Sequence, residues 1–183
     1  PLYSSAASDV YKRQALAQTD MKRLVAYSSI SHLGLIVAGI FALEPTAVQG
    51  AILQMVNHGI STGGLFVLVG LLYERRHTRE MDAYGGVAHV LPRYAAVFLV
   101  ILLSSIGLPF LNGFVGEFLI FWGAFRRYPV ATALAVTGVI WSAVYMLRMY
   151  QRVMHGPVTH EENLRLGDVR SHEWAALVPL LAL

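Results

Sequence analysis

The chain has 183 residues, of which 56% are hydrophobic and 14% are charged, and its mean hydropathy is +0.54. Soluble domains carry about 25% charged residues, so this composition excludes an ordinary soluble domain and favours a polytopic α-helical membrane protein. The sequence has no cysteine, which excludes disulfides, thiolate metal sites and iron–sulfur clusters within this chain. The net charge of +3 lies in loops, which indicates membrane orientation rather than nucleic-acid binding.

The two ends of the chain differ from the rest. Residues 1–14 have no apolar periodicity and no hydrophobic core of the kind that a signal peptide requires, and they resemble translated adapter sequence. We interpret them as non-native sequence and residues 15–183 as one transmembrane domain. Residues 174–183 begin an apolar segment of ten residues, which is too short to span a bilayer. We therefore expect the chain to be a fragment of a longer protein.

The first predicted span covers residues 24–43, twenty residues without a formal charge. Ser28 and Ser29 precede His32 by four and three residues, so the three side chains share one helical face. A polar face in an otherwise apolar helix is expected to point into the bundle.

The second predicted span covers residues 47–73, again without a formal charge. Its polar stripe consists of Gln54, Asn57, His58 and Ser61. The two spans form a hairpin, so we expect His32 and His58 both to lie near the middle of the membrane.

The third apolar stretch, residues 95–125, is predicted to be a broken helix. As one straight helix its 31 residues would be roughly 46 Å long, against a hydrocarbon core of about 30 Å. Near its middle lies the helix-breaking run Gly-Leu-Pro-Phe-Leu-Asn-Gly at residues 107–113, and Asn112 is predicted to cap the second half. Its only charged residue is Glu117, just past the break.

A further span is predicted at residues 130–147, followed by a polar loop at 155–173 and the truncated fifth span. Alternating the spans places nine cationic residues on one side of the membrane and two, Arg126 and Arg127, on the other. The positive-inside rule makes the first side cytoplasmic. The nine are Lys22, Arg23, Arg75, Arg76, Arg79, Arg93, Arg152, Arg165 and Arg170.

Three residues are candidates for chemistry. An ionised carboxylate is costly in a low-dielectric interior, so Glu117 must be paired, hydrated or protonated, which suits a proton carrier. The alternative is a structural ion pair with a neighbouring helix. Histidine changes charge with small changes of environment, so His32 and His58 are predicted to form a proton relay. The alternative is a pair of core histidines with hydrogen bonds to neighbouring groups, and no third ligand is spaced to complete a metal site.

Four separated segments carry a resemblance to a known family. They are AQTDMKRLVAYSSISH at 17–32, QMVNHG at 54–59, YERRHTR at 73–79 and NGFVGEF at 112–118. In this order they resemble the antiporter-like membrane subunits of respiratory complex I, and within that family the subunit M (chain 4) group. The resemblance covers residues 15–183.

The resemblance implies a fourteen-helix subunit built from two inverted five-helix repeats, each with one broken helix. This chain would hold most of the second repeat, as an all-α bundle of four spans plus a truncated fifth. The family places a proton-carrying residue on the broken helix, and Glu117 matches it; the sister subunits L and N have lysine there. His32 and His58 match the histidines of the family's central polar axis.

The function implied is that of a proton-translocating membrane subunit of NADH:quinone oxidoreductase, a translocase subunit without a redox centre. NADH, FMN, iron–sulfur clusters and quinone are expected in partner subunits, and no cofactor or metal is expected in this chain. Its partners would be other complex I membrane subunits, the lipid bilayer and protons, with no nucleic acid, in the bacterial cell membrane or its organellar equivalent. Two alternatives remain open: a subunit of a multi-subunit sodium/proton antiporter, and a structural subunit in which Glu117 carries no proton.

Overall fold

The computed structural model describes residues 18–181, so residues 1–14, interpreted as non-native, lie outside the described part. Within residues 18–181, the secondary structure consists of helices and one isolated antiparallel bridge. The all-α prediction is therefore confirmed. The principal helices are α1 (Met21–Phe41), α2 (Pro45–Arg76), α3 (Pro92–Ser105), α4 (Asn112–Arg127), α5 (Pro129–Met154) and α6 (Ser171–Leu181).

Three of these helices, α1, α2 and α5, are long and apolar enough to cross a membrane. Each begins earlier in the chain than the uncharged segment that predicted it. The reason is visible in α1, where Oδ1 of Asp20 accepts a hydrogen bond of 3.0 Å from the backbone N–H of Arg23. A capping side chain starts the helix, so Lys22 and Arg23 belong to its first turn.

The third apolar stretch is broken, as predicted. Helices α3 and α4 are separated by residues 106–111, in which Gly107 and Phe110 have positive φ angles of 71° and 77°. Helix α3 has only 14 residues and a length of about 21 Å, which is less than the hydrocarbon thickness. The stretch is therefore built from two half-helices.

The prediction that Asn112 caps α4 is wrong. Leu111 is the N-cap residue and Asn112 is the first residue of the helix. The Asn112 Oδ1 atom accepts a hydrogen bond from the hydroxyl of Ser104, and its backbone carbonyl accepts one of 2.7 Å from Nδ2 of Asn57. The side chain of Asn112 thus turns back across the break and links the two half-helices. Its backbone carbonyl links α4 to α2.

Helix α4 packs against α2 over an extensive surface. A Cβ atom at position 50 would lie 2.7 Å from the backbone nitrogen of Ile120 and 2.9 Å from the carbonyl oxygen of Gly116. Only glycine permits this separation of the two backbones at Gly50. The close approach places the polar stripe of α2 directly beside the start of α4.

The loop between α5 and α6 and the first turn of α6 are tied to two other helices. Nη2 of Arg75, at the end of α2, donates a hydrogen bond of 2.7 Å to Oε2 of Glu173. The carboxylate of Asp168 accepts hydrogen bonds of 3.2 Å and 3.1 Å from the backbone N–H groups of Arg93 and Tyr94. Asp168 therefore satisfies the first turn of α3, whose own N-cap residue provides no side-chain hydrogen bond.

Candidate functional site

Glu117 lies in the second turn of α4 and is 5% exposed. Its carboxylate packs against the break in the helix, where a Cβ atom at position 107 would lie 2.7 Å from Oε2 of Glu117. Glycine is therefore required at position 107 for two reasons. The φ angle there is positive, and the Glu117 carboxylate occupies the space that a side chain would need. The break makes room for the acid.

His32 of α1 faces this carboxylate. Its Nε2 atom lies 3.5 Å from Oε1 of Glu117, and both side chains are buried. Nδ1 of His32 lies 2.9 Å from the backbone carbonyl oxygen of Ser28. A carbonyl can only accept, so Nδ1 carries a hydrogen, and in the neutral ring Nε2 presents its lone pair toward Glu117.

His58 of α2 stacks on His32, with ring centroids 5.3 Å apart and an angle of 28° between the ring planes. Its Nε2 atom lies 2.8 Å from the hydroxyl oxygen of Ser29, and its Nδ1 atom lies 3.2 Å from that of Thr62. A hydroxyl can donate or accept, so both hydroxyls can adjust to the neutral and the protonated ring. His58 is 6% exposed and is held between α1 and α2.

Gln54 connects the polar stripe of α2 to the acid. Its Nε2 atom donates a hydrogen bond of 3.3 Å to Oε1 of Glu117. Within the described residues, Oε1 of Gln54 and Nδ2 of Asn112 are buried and have no hydrogen-bonding partner from the protein. Buried polar atoms of this kind normally bind ordered water, so the surroundings of Glu117 are suited to hydration.

Helix α5 contributes two further polar side chains that the sequence analysis did not identify. The Tyr145 hydroxyl lies 3.0 Å from Oγ of Ser28 and 3.2 Å from Oγ of Ser142, and Ser142 Oγ lies 3.5 Å from Nε2 of His32. Ser142 and Tyr145 are three residues apart and therefore share a face of an apolar helix. This three-residue spacing is the feature of the sequence that could have predicted their place in the site.

The structure brings the three predicted site residues together. The polar stripes of α1 and α2 point into the bundle, as predicted, because Ser28, His32, Gln54 and His58 are each at most 6% exposed. The remaining histidines lie outside this cluster, in loops, in the short helix Val87–Val90 and in the first turn of α6. They are His77, His89, His155, His160 and His172.

This arrangement can move a proton over a short distance. A protonated Glu117 carboxyl can donate toward Nε2 of His32, and the transfer would leave a carboxylate beside an imidazolium. Both states keep the hydrogen bond from Nδ1 of His32 to the Ser28 carbonyl. Among residues 18–181, no group of three or more histidine, aspartate or glutamate side chains is arranged to hold a metal ion.

The chain is similar in sequence and in fold to known membrane proteins. Residues 5–142 match the family described as NADH:quinone oxidoreductase/Mrp antiporter, TM. NADH-quinone oxidoreductase subunit M of Rickettsia conorii is 45% identical over 183 residues, which are 100% of this chain and 37% of that protein. The subunit M of Mycobacterium tuberculosis is 48% identical over 169 residues, which are 92% of this chain and 30% of that protein.

Among solved structures, a chain of respiratory complex I from Thermus thermophilus with bound NADH is similar, with a TM-score of 0.91 and 35% sequence identity. The match covers 98% of this chain and 38% of that one. The chain thus spans about a third of the length of the relatives that it matches. Because the family match covers most of its residues, this multi-pass membrane chain belongs to the NADH:quinone oxidoreductase/Mrp antiporter transmembrane family.

Proposed function

We propose that this chain is part of a proton-translocating membrane subunit of a bacterial NADH:quinone oxidoreductase, residing in the cell membrane. In this proposal Glu117 takes up and releases a proton, and His32 and His58 relay it. One observation carries the proposal: a buried carboxylate lies 3.5 Å from a buried imidazole at the break of a membrane helix. The two relatives described above bear the name NADH-quinone oxidoreductase subunit M.

The cost of burying a charge supports a proton-binding role for Glu117. An isolated ionised carboxylate is strongly disfavoured in a low-dielectric interior, so its charge must be matched by a nearby cation, by water or by a proton. His32 supplies the cation only when it is protonated itself. When the pair carries no net charge, it therefore holds one transferable proton. Either residue can bind that proton.

His58 adds a second imidazole beside the Glu117–His32 pair. At an effective dielectric constant of about 20, two imidazolium ions 5.3 Å apart repel each other by about 3 kcal/mol. This repulsion disfavours simultaneous protonation of His32 and His58. A proton that arrives at one ring therefore favours departure of a proton from the other, as a relay requires.

The position of Glu117 beside the break explains how distant events would reach it. The backbone N–H groups of residues 107–111 make no regular i to i−4 hydrogen bond, so in this proposal small movements of α3 against α4 change the surroundings of the carboxylate. In the complex, NADH, FMN, iron–sulfur clusters and quinone would be held by partner subunits. This chain would carry protons across the membrane but would carry no electrons.

The decisive variant is Glu117→Gln in the full-length protein within its native complex. The amide keeps the shape of the carboxyl group but has no dissociable proton, so we expect NADH-driven proton translocation to be lost. Proton uptake by inverted membrane vesicles and NADH oxidation are measured on the same preparation, with subunit content as the measure of assembly. Glu161→Gln, a change to an exposed acid, is the matched control. Normal translocation by a normally assembled Glu117→Gln complex would support the purely structural role.

The family description favours one second candidate, a subunit of a multi-subunit sodium/proton antiporter, because it includes Mrp antiporters. An antiporter exchanges ions without electron transfer. We therefore expect sodium added to energised vesicles to collapse a pH gradient only if this candidate is correct. A response to sodium in the absence of NADH, abolished by Glu117→Gln, would replace the first proposal with the second.

A further inference from the structure

One residue, Asn112, joins the first turn of α4 to two other helices. Its Oδ1 atom accepts a hydrogen bond from the hydroxyl of Ser104 in the last turn of α3, and its carbonyl accepts one of 2.7 Å from Nδ2 of Asn57 in α2. We propose that Asn112 is a positioning residue for Glu117, because these two bonds keep the helix break packed against the carboxylate. This role rests on the proposed function, in which Glu117 takes up and releases a proton.

Helices α2 and α4 form one closely packed unit. A Cβ atom at position 116 would overlap the side chain of Gln54, and a Cβ atom at position 123 would overlap the backbone of Ala47. Backbones that approach this closely leave α4 little freedom to move along α2. The bond to Asn112 lies at the end of this unit, where α4 begins, so the freedom that remains is between this unit and α3.

Helix α3 meets α4 at Ser104, which is 3% exposed. A Cβ atom at position 113 would overlap the carbonyl oxygen of Ser104, so the end of α3 lies directly against the start of α4. The same carbonyl accepts a hydrogen bond of 3.2 Å from the N–H of Gly107, and the carbonyl of Leu103 accepts one of 3.1 Å from the N–H of Leu108. These two bonds form a Schellman turn. Gly107 therefore moves together with Ser104.

The two oxygens of the Glu117 carboxylate face different partners. Oε1 lies 3.5 Å from Nε2 of His32, whereas Oε2 lies so close to the break that a Cβ atom at position 107 would be only 2.7 Å away. If the bond from Ser104 to Asn112 is removed, the end of α3 can move away and water can reach Oε2. Exclusion of water strengthens the electrostatic interactions of a buried acid, so the proton affinity of Glu117 depends on this bond.

The backbone of the break indicates that it is held in place by its surroundings. Phe110 has a φ angle of 77°, which a bulky residue rarely adopts. Such a conformation persists only where neighbouring contacts impose it. Within the described residues the Phe110 side chain is fully exposed, so it does not supply these contacts itself. The bonds at the two ends of the segment, at Ser104 and Asn112, therefore help to maintain it.

The first test is Ser104→Ala in the full-length protein within its native complex. Loss of one hydrogen bond should raise amide hydrogen exchange across residues 107–111 by about two- to tenfold. We expect NADH-driven proton translocation to be slowed by about tenfold to a hundredfold, because the acid is displaced from its partners. Ser105→Ala makes the same change at the next residue, which is buried to a similar extent, and should leave both quantities unchanged.

The infrared band of the Glu117 carboxyl distinguishes positioning from a general loss of stability. This band is identified in acid-induced difference spectra as the one that Glu117→Gln lacks. We expect Ser104→Ala to move it to lower wavenumber, since hydrogen bonds from entering water weaken the C=O bond. An unchanged band would overturn the proposal. Failure of the proposed function has a different signature, namely normal translocation by Glu117→Gln, with the band still shifted in Ser104→Ala.

Asn57→Leu is an independent variant, which removes the bond from α2 to the Asn112 carbonyl. If both bonds act through Asn112, this change should shift the carboxyl band in the same direction. The double variant with Ser104→Ala should then shift the band little more than the stronger single change does. A shift in the double variant equal to the sum of the two single shifts would show that the bonds act separately and would overturn the proposal.

Discussion

The Nε2 atom of His32 lies 3.5 Å from Oε1 of Glu117, and neither side chain is more than 6% exposed. The two residues are 85 positions apart in the chain, and they belong to α1 and α4. Their juxtaposition joins the polar face of α1 to the only charged residue between positions 95 and 125.

Replacing His32 tests whether the imidazole exchanges protons with Glu117. We expect His32→Gln to slow NADH-driven proton translocation by about a hundredfold, the lower end of the range for a positioned acid–base group. Glutamine can still donate a hydrogen bond but cannot take up a proton. Infrared difference spectroscopy of the carboxyl C=O band measures the accompanying change at Glu117. His89→Gln, at an exposed histidine, provides the control, and an unaltered carboxyl band in His32→Gln would contradict the pairing.

Gln54 is predicted to position the carboxylate rather than to carry protons. Gln54→Leu removes the donor to Oε1 of Glu117 while nearly preserving volume. We expect a loss of about 1 to 3 kcal/mol in stability, because Oε1 of Glu117 loses one of its hydrogen-bond donors in a buried site. Gln54→Glu, which can still donate when protonated, should show translocation that recovers as the pH is lowered. Identical pH profiles for Gln54→Leu and Gln54→Glu would indicate a packing role alone.

Gly107 and Gly156 form a matched pair for testing the break. Both have positive φ angles, 71° and 89°, but a Cβ atom contacts the Glu117 carboxylate only at position 107. Gly156→Ala should therefore cost only the backbone strain of about 1 to 2 kcal/mol. Gly107→Ala should cost more and should also displace Glu117, which reduces proton translocation in assembled complexes. Thermal unfolding and vesicle acidification measure the two effects, and equal behaviour of the two variants would show that the contact has no functional role.

The Arg75–Glu173 ion pair predicts a pH dependence of stability. Burial alone would raise the pKa of the Glu173 carboxyl, but hydrogen bonds from Arg75 and from the Arg170 backbone amide outweigh it and hold the pKa below its usual value. A carboxyl with a lowered pKa stabilises the folded state above its unfolded pKa of about 4.3, and this contribution is lost as the pH falls through the folded value.

We therefore expect Glu173→Gln to lower stability by about 2 kcal/mol at neutral pH, since Arg75 keeps its hydrogen bonds to backbone carbonyls but loses the carboxylate with which it forms an ion pair. The difference from the unaltered protein should shrink as the pH falls below about 4. Midpoints of thermal unfolding across pH provide the measurement. Glu162→Gln, which removes an acid that pairs with Arg76 but is 71% exposed, should change stability by less than about 1 kcal/mol. A constant difference at all pH values would exclude the ion pair as its cause.

Much of the fold could be predicted from local features. The spans of α1, α2 and α5 follow from apolar length, and the break between α3 and α4 follows from glycine and proline near Gly107. The buried faces of α1 and α2 follow from three- and four-residue spacing of polar side chains such as Ser28 and His32. These properties depend on a few consecutive residues, so the sequence by itself determined them.

The contacts of the site depend on how the helices pack. Gly50 sets the distance between α2 and α4, and this distance brings Gln54 to Glu117. Asn112 binds Ser104 across the break instead of capping α4, and Tyr145 reaches Ser28 from another helix. Periodicity specifies which face of a helix is polar, but not which residue of a neighbouring helix it meets, because rotation and axial position are set by packing. The tertiary structure alone therefore decided that Glu117 faces His32.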